Sequence, residues 1–250
     1  MSGNREGTIG RLCIVTILGD SLVVPRIELP YSETYPYTLS LMLGGEFLIV
    51  NKARRNNTIE EQTSEAGAGY LTEDVEYMKE SCYFVIHIGI CDCAPRIFSR
   101  RQNLMLQKMP FIGKPIINFK SKYRRFFTKN FPMVYVNHKI FENRLDLLIR
   151  TIFGKTSARK VFVINIADTT EENKYRSYGF EKNLGDYNKI ITDVSSKFGD
   201  RVDVFDTYSL TTKHPELLWE DGIHIKREAH DLIAQYLYDK IKEDQRTIRF

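Results

Sequence analysis

Five short apolar runs punctuate the chain: Leu12 to Leu18, Glu46 to Val50, Tyr83 to Ile88, Val161 to Ile166 and Val202 to Phe205. Their hydrophobicity is continuous rather than alternating, the pattern of strands covered on both faces, as in a parallel sheet. Between them apolar residues recur at three- and four-residue intervals, which predicts helices over Tyr70 to Lys79, Phe141 to Phe153, Leu184 to Phe198 and Lys226 to Lys242. In the last of these, Ala229, Leu232, Ile233, Tyr236, Leu237 and Ile241 form one stripe, with Lys240, Lys242 and Glu243 on the other side. Strands and helices alternating in this order predict an α/β protein, a three-layer α/β/α sandwich around a parallel sheet of about five strands. A chain of 250 residues accommodates this as one domain, 1–250. In such sheets ligands gather beyond the carboxyl ends of the strands, and with the loop before the final helix this selects Gly19 to Leu22, Asn51 to Thr58, Gly89 to Arg96 and Trp219 to His224.

Composition adds two constraints. At 42% hydrophobic and 27% charged residues the chain reads as soluble, and no run approaches the roughly 18 apolar residues of a membrane span. Arg5 and Arg11 before the run Leu12 to Leu18 imitate a secretory signal, but no small-x-small cleavage site follows, and cutting there would remove a strand and its Gly19-Asp20-Ser21 turn. The expected location is cytoplasmic, with Cys13, Cys82, Cys91 and Cys93 as reduced thiols.

The net charge of +4 conceals an asymmetry. From Cys93 to Phe141 there are 11 basic residues and no acidic one, leaving 25 basic against 32 acidic residues elsewhere. This segment also carries Phe98, Phe111, Phe119, Tyr123, Phe126, Phe127, Phe131 and Tyr135. A connection of that length and composition, at about 95–140, reads as a cap or lid beside the site.

Ser21, Asp221 and His224 are the candidates for chemistry. A serine hydroxyl is a poor nucleophile at neutral pH and needs a base whose pKa lies near the working pH, which histidine supplies. A carboxylate three residues before that histidine can accept a hydrogen bond from its second ring nitrogen, fixing the tautomer and stabilising the imidazolium. Gly222 between them permits a tight turn.

The two terminal blocks carry a family resemblance. Ile17-Leu18-Gly19-Asp20-Ser21-Leu22 resembles the first block of the SGNH (GDSL-like) hydrolases, and Trp219-Glu220-Asp221-Gly222-Ile223-His224 is similar to their D-x-x-H block. His230 and Ala234 lie where the following helix of that family runs, and Asp186 to Ile190 resembles its helix before the penultimate strand. The resemblance implies a flavodoxin-like SGNH fold, Ser21 opening a helix after the first strand, and a serine esterase mechanism through an acyl-serine intermediate.

Two blocks depart from that family. Its oxyanion donors are the serine N–H, a glycine N–H after the second strand and an asparagine side chain after the third. Here Asn56 stands at the glycine position, a tolerable change because asparagine enters the left-handed region readily and the donor is backbone. Gly89-Ile90-Cys91-Asp92 places Cys91 at the asparagine position, and a thiol is a weak donor. Asn57, Asn103 and Arg96 are substitute donors, and Arg54, Arg55 or Arg96 could instead hold a substrate anion. Cys91-Asp92-Cys93 lacks the second ligand pair of a zinc site, so no metal or cofactor is expected. His87 reads as a core residue, His138 and His214 as loop residues.

The leading expectation is hydrolysis of a carboxylic ester, small-molecule or glycan O-acyl, with an anionic substrate favoured by the basic segment. Transfer of the acyl group to a sugar hydroxyl is the first alternative, and a catalytically impaired binding protein of the same fold is the second. No nucleic-acid module is present, and the segment 95–140 is the candidate for peripheral contact with a membrane.

Overall fold

The computed structural model describes residues 12–65 and 70–248; Arg5 and Arg11 lie outside them. The strands are β1 (Cys13–Gly19), β2 (Phe47–Asn51), β3 (Ser81–His87), β4 (Lys160–Ile164) and β5 (Val202–Phe205). All pair in parallel, in the order β2-β1-β3-β4-β5. Each predicted run lies on its strand to within two residues. β3 starts earlier than its apolar run because Ser81, polar but buried, donates or accepts a 2.8 Å hydrogen bond with Thr16 of β1.

Both faces of the sheet are covered, which is why its runs are continuous. On β3, Tyr83 and Val85 join one core while Phe84 and Ile86 join the other. The first core packs beneath α1 (Tyr35–Leu43) and α12 (Arg227–Ile248). The second packs beneath α2 (Ile59–Gln62), α3 (Tyr70–Asp74), α4 (Ile90–Cys93), α8 (His138–Lys155) and α10 (Phe180–Ser196). The three layers are those predicted. Each lost large side chain in such a core costs about 2–5 kcal/mol, so fully buried Phe84, Phe141 and Phe162 are positions of high cost.

Helices that the pattern did not single out complete the fold. α5 (Arg100–Gln107), α6 (Pro110–Lys122) and α7 (Arg124–Asn130) build the basic segment, and α9 (Glu171–Arg176) follows β4 while α11 (Thr207–Lys213) follows β5. The predicted helix from Tyr70 to Lys79 is interrupted: α3 ends at Asp74, Val75 takes φ −118°, and a 3-10 turn, Glu76–Met78, follows. His138 is the first residue of α8 rather than a loop residue, and the Asn137 side chain caps that helix by accepting from the Ile140 N–H at 3.0 Å.

β1 lies between β2 and β3, so the chain leaves it to one side and returns on the other. A crevice opens at the carboxyl end of a parallel sheet at such a reversal. Gly19-Asp20-Ser21 and Gly89-Ile90-Cys91 both emerge there.

Candidate active site

Ser21 sits in a turn over 21–23, not at the start of a helix as the resemblance implies. The Asp20 N–H donates to the His87 carbonyl at 3.1 Å, tying the end of β1 to β3, and the Leu22 N–H donates to Asp20 Oδ1 at 3.0 Å. Pro25 follows at once, and its ring disfavours helical geometry in the residue before it, so the turn cannot propagate. Burial pushes the Asp20 carboxyl up to about 7.

Asp221 and His224 occupy a tight loop closed by an antiparallel bridge between Leu218 and Ile225. The Trp219 N–H donates to the His224 carbonyl and the Gly222 N–H to the Trp219 carbonyl, each at 2.8 Å. Gly222 takes φ +65°, and a Cβ there would collide with the Thr170 and Asn173 side chains, so the loop admits glycine alone without rearrangement. Thr169 Oγ1 donates to the Gly222 carbonyl at 2.5 Å and Asn173 Nδ2 to the Asp221 carbonyl at 2.7 Å, fastening the loop to the chain around α9.

These two pieces meet. His224 Nε2 lies 3.2 Å from Ser21 Oγ, and His224 Nδ1 lies 2.7 Å from Asp221 Oδ2. Asp221 Oδ1 accepts from the N–H groups of Ile223 at 2.9 Å and His224 at 3.0 Å. Arg26 Nη1 donates to Oδ2 at 2.9 Å, a partner sequence reasoning missed because nothing in the segment around Arg26 marks a destination 195 positions away. Burial alone would raise the Asp221 carboxyl. The His224 and Ile223 amides, with the His224 ring and Arg26, hold it well below the ordinary carboxylate range. His224 is lowered by burial, against the pull of Asp221 and with the help of Arg26 and Arg55. The anionic Asp221 accepts the Nδ1 proton, so the neutral ring presents its Nε2 lone pair to the serine hydroxyl.

Ser21 and His224 open into a cavity of about 300 Å³, which Asn56, Ile90, Cys91, Ala94 and Arg96 also line. Asn56 takes φ +58°, the left-handed conformation expected of it, and Arg100 Nη2 donates to its carbonyl at 3.1 Å. Gly89 takes φ +138° and leads into α4, whose Cys91 side chain faces this cavity. Burial pushes the Cys91 thiol far above its ordinary range, so it is a protonated, weak donor rather than a thiolate nucleophile.

Asn57, a candidate substitute donor, is otherwise engaged. Its side-chain amide donates to the Gly19 carbonyl at 3.1 Å and to Gln62 Oε1 at 2.7 Å, bracing the loop after β2. Asn103 lies on α5 and does not line the cavity. Arg54 is paired with buried Asp74 and Arg55 donates to the Pro25 carbonyl at 2.5 Å, so neither reaches the cavity; Arg96 does. His87 is buried as expected, its pKa lowered by burial to about 3. Arg124 and Arg176 also line the cavity, and no sequence signal assigned them to it.

No protein-family model matches the chain, and no curated protein matches it. Solved structures do. A lipase/acylhydrolase from Enterococcus faecalis shares 15% identity over 93% of this chain and 97% of its own, with a TM-score of 0.64. A catalytic mutant of Axe2, an acetylxylan esterase from Geobacillus stearothermophilus, shares 15% identity over 93% and 95%, with a TM-score of 0.60. LAE5, an alpha/beta hydrolase enzyme from the metagenome of Lake Arreo, Spain, shares 15% identity over 91% and 94%, with a TM-score of 0.59. In Axe2, catalytic mutants replace a serine, an aspartate or a histidine by alanine, the last two three positions apart. The chain therefore has the fold of these hydrolases, the α/β/α architecture that its SGNH-like blocks imply.

Proposed function

We propose that the protein is a serine esterase, and the observation that carries this reading is the continuous hydrogen-bonded path Asp221–His224–Ser21 opening into a cavity. Ser21 Oγ attacks the ester carbonyl while His224 Nε2 takes its proton, and Asp221 stabilises the imidazolium. The imidazolium then protonates the leaving alkoxide, giving an acyl-serine. Water, deprotonated by the same ring, releases the carboxylic acid and restores the hydroxyl. The backbone N–H groups of Ser21 and Asn56, with the Cys91 thiol, are the proposed oxyanion donors. The Asp221/His224 spacing equals that of the aspartate and histidine replaced in catalytic mutants of Axe2, which supports the assignment.

An acetylated sugar is the proposed substrate class, on the analogy of Axe2, an acetyl-xylooligosaccharide esterase. A neutral ring already poised at the hydroxyl favours an enzyme over a binding protein with impaired chemistry. Incubation with p-nitrophenyl acetate should release nitrophenolate, and Ser21→Ala should lower kcat/KM by about 10⁴-fold or more while leaving the thermal transition in place. Equal turnover by that variant contradicts the assignment.

The basic segment is part of the reading. α5 to α7 expose Phe111, Ile112, Phe119 and Phe126 among lysines and arginines, a composition that supports peripheral contact with an anionic membrane. Co-sedimentation with phosphatidylserine vesicles and not with phosphatidylcholine vesicles is expected, and equal partition rules the contact out. A cytoplasmic location, checked by cell fractionation, completes the proposal. Among the described residues no helix is long and apolar enough to cross a membrane.

A further inference from the structure

The cavity lining gathers three arginines from separate parts of the chain: Arg96 after α4, Arg124 at the start of α7 and Arg176 at the end of α9. We infer that Arg96, Arg124 and Arg176 form a subsite for a tetrahedral oxyanion, a phosphate or sulfate group carried by the ester whose acyl bond Ser21 attacks. This rests on the esterase reading and adds an anionic group to the acyl ester proposed there.

Two of the guanidiniums are held in place by neutral groups. Arg96 Nη2 donates to the Cys91 carbonyl at 2.9 Å, and its Cζ lies 4.2 Å from the centre of the Tyr135 ring. Arg124 Nε donates to Ser177 Oγ at 2.6 Å and Nη2 to the Pro95 carbonyl at 2.5 Å. These contacts orient the groups without cancelling their charge. Arg96 Nε is buried with no hydrogen-bond partner, an orphan donor beside the cavity. Such a donor is costly unless a ligand or water completes it.

Among the described residues no carboxylate lies within ion-pair distance of any of the three. Nearby arginines are different: Arg26 is paired with Asp221, Arg54 with Asp74 and Arg100 with Glu61. Burial also pushes two nearby acids up, Asp20 to about 7 and Asp92 to about 8, which weakens the negative charge they set against these arginines. Arg124 is lowered by burial and then by Arg96 and Arg176, which places three like charges within electrostatic reach of one another. Convergent unpaired guanidiniums in a pocket are suited to an anion with several acceptor oxygens, to which the fork geometry donates in pairs. A volume of about 300 Å³ holds a small ester and one such group together.

Acetate release from 1-acetylglycerol, its 3-phosphate and its 3-sulfate tests this, because the three differ only in the charged group. The wild type should show kcat/KM about tenfold or more higher for the charged esters. Arg124→Gln and Arg176→Gln should each reduce that preference about fivefold or more, while Arg150→Gln, an exposed arginine on α8, leaves the ratio unchanged. Equal kcat/KM for all three esters, or a preference that survives both substitutions, overturns the subsite while leaving the esterase standing. If no ester is turned over, p-nitrophenyl acetate included, the esterase reading fails instead. Calorimetric titration with inorganic phosphate then reads the subsite alone: binding weakened in Arg176→Gln supports it, and no binding overturns it.

Discussion

The charged groups of the cavity fall into two sets built on opposite principles. At His224 both Asp221 oxygens accept hydrogen bonds, from two backbone amides, the imidazole and Arg26. In the other set, Arg96 and Arg124 are braced by carbonyls, a hydroxyl and a ring, and they and Arg176 meet no carboxylate among the described residues. The first set is complete without a ligand, as the proposed proton transfer requires. The second leaves its charge for something that binds. The contrast separates a part proposed to do chemistry from a part proposed to choose what reaches it.

Breaking the completed set should have the largest effect. Asp221→Asn removes the anion that fixes the Nδ1–H tautomer, and kcat on p-nitrophenyl acetate should fall by about 10⁴-fold, with KM little changed. A loss under tenfold would mean that the loop holds His224 without help from that charge. A smaller effect of opposite sign is expected at Cys91. Replacing it by Asn puts an amide donor where a weak thiol donor lies, and kcat should rise about tenfold; a large loss would show that the side chain does not meet the oxyanion.

The smallest effect sharpens the electrostatics. The positive charge of Arg26 disfavours protonation of His224, so Arg26→Gln should raise the pKa of that ring. The base is active when neutral, so the acidic limb of the kcat/KM profile should move to higher pH. In the wild type that limb lies below the ordinary histidine value, because burial lowers it. A limb that stays put in the variant, or moves down, contradicts this account of the site.

The strands were legible because double-sided burial leaves a signature in consecutive residues, which needs no knowledge of the partner. The amphipathic helices α8, α10 and α12 were legible for a related reason: one face is apolar and the other charged. α1 was not, since Tyr-Pro-Tyr-Thr-Leu-Ser-Leu-Met-Leu at Tyr35–Leu43 has no charged face to set its period. α6 was hidden by Pro110 and Pro115 and by exposed Phe111 and Phe119, which blur any stripe.

Within the site, the meeting of Ser21, Asp221 and His224 was legible because their blocks are local patterns at strand and helix boundaries. The left-handed backbone of Asn56 followed from the residue type standing where a glycine was expected. The turn at Ser21 was misread as a helix start, although Pro25 lay in view. Arg26, Arg124, Arg176 and Asn173 act across long separations, and an arginine's letter says nothing about where its five donors point. Asn57 illustrates the converse: a plausible donor by position, it is engaged by a carbonyl and a glutamine side chain.

The central claim is that the Ser21 hydroxyl is activated by His224. The direct measurement is intact-protein mass spectrometry after exposure to an activated fluorophosphonate, with peptide mapping of the adduct, on the wild type and His224→Ala. The account predicts one stoichiometric adduct, on Ser21, formed rapidly in the wild type and at least about 10³-fold more slowly in the variant. An unlabelled wild type, or equal labelling of both proteins, would contradict it.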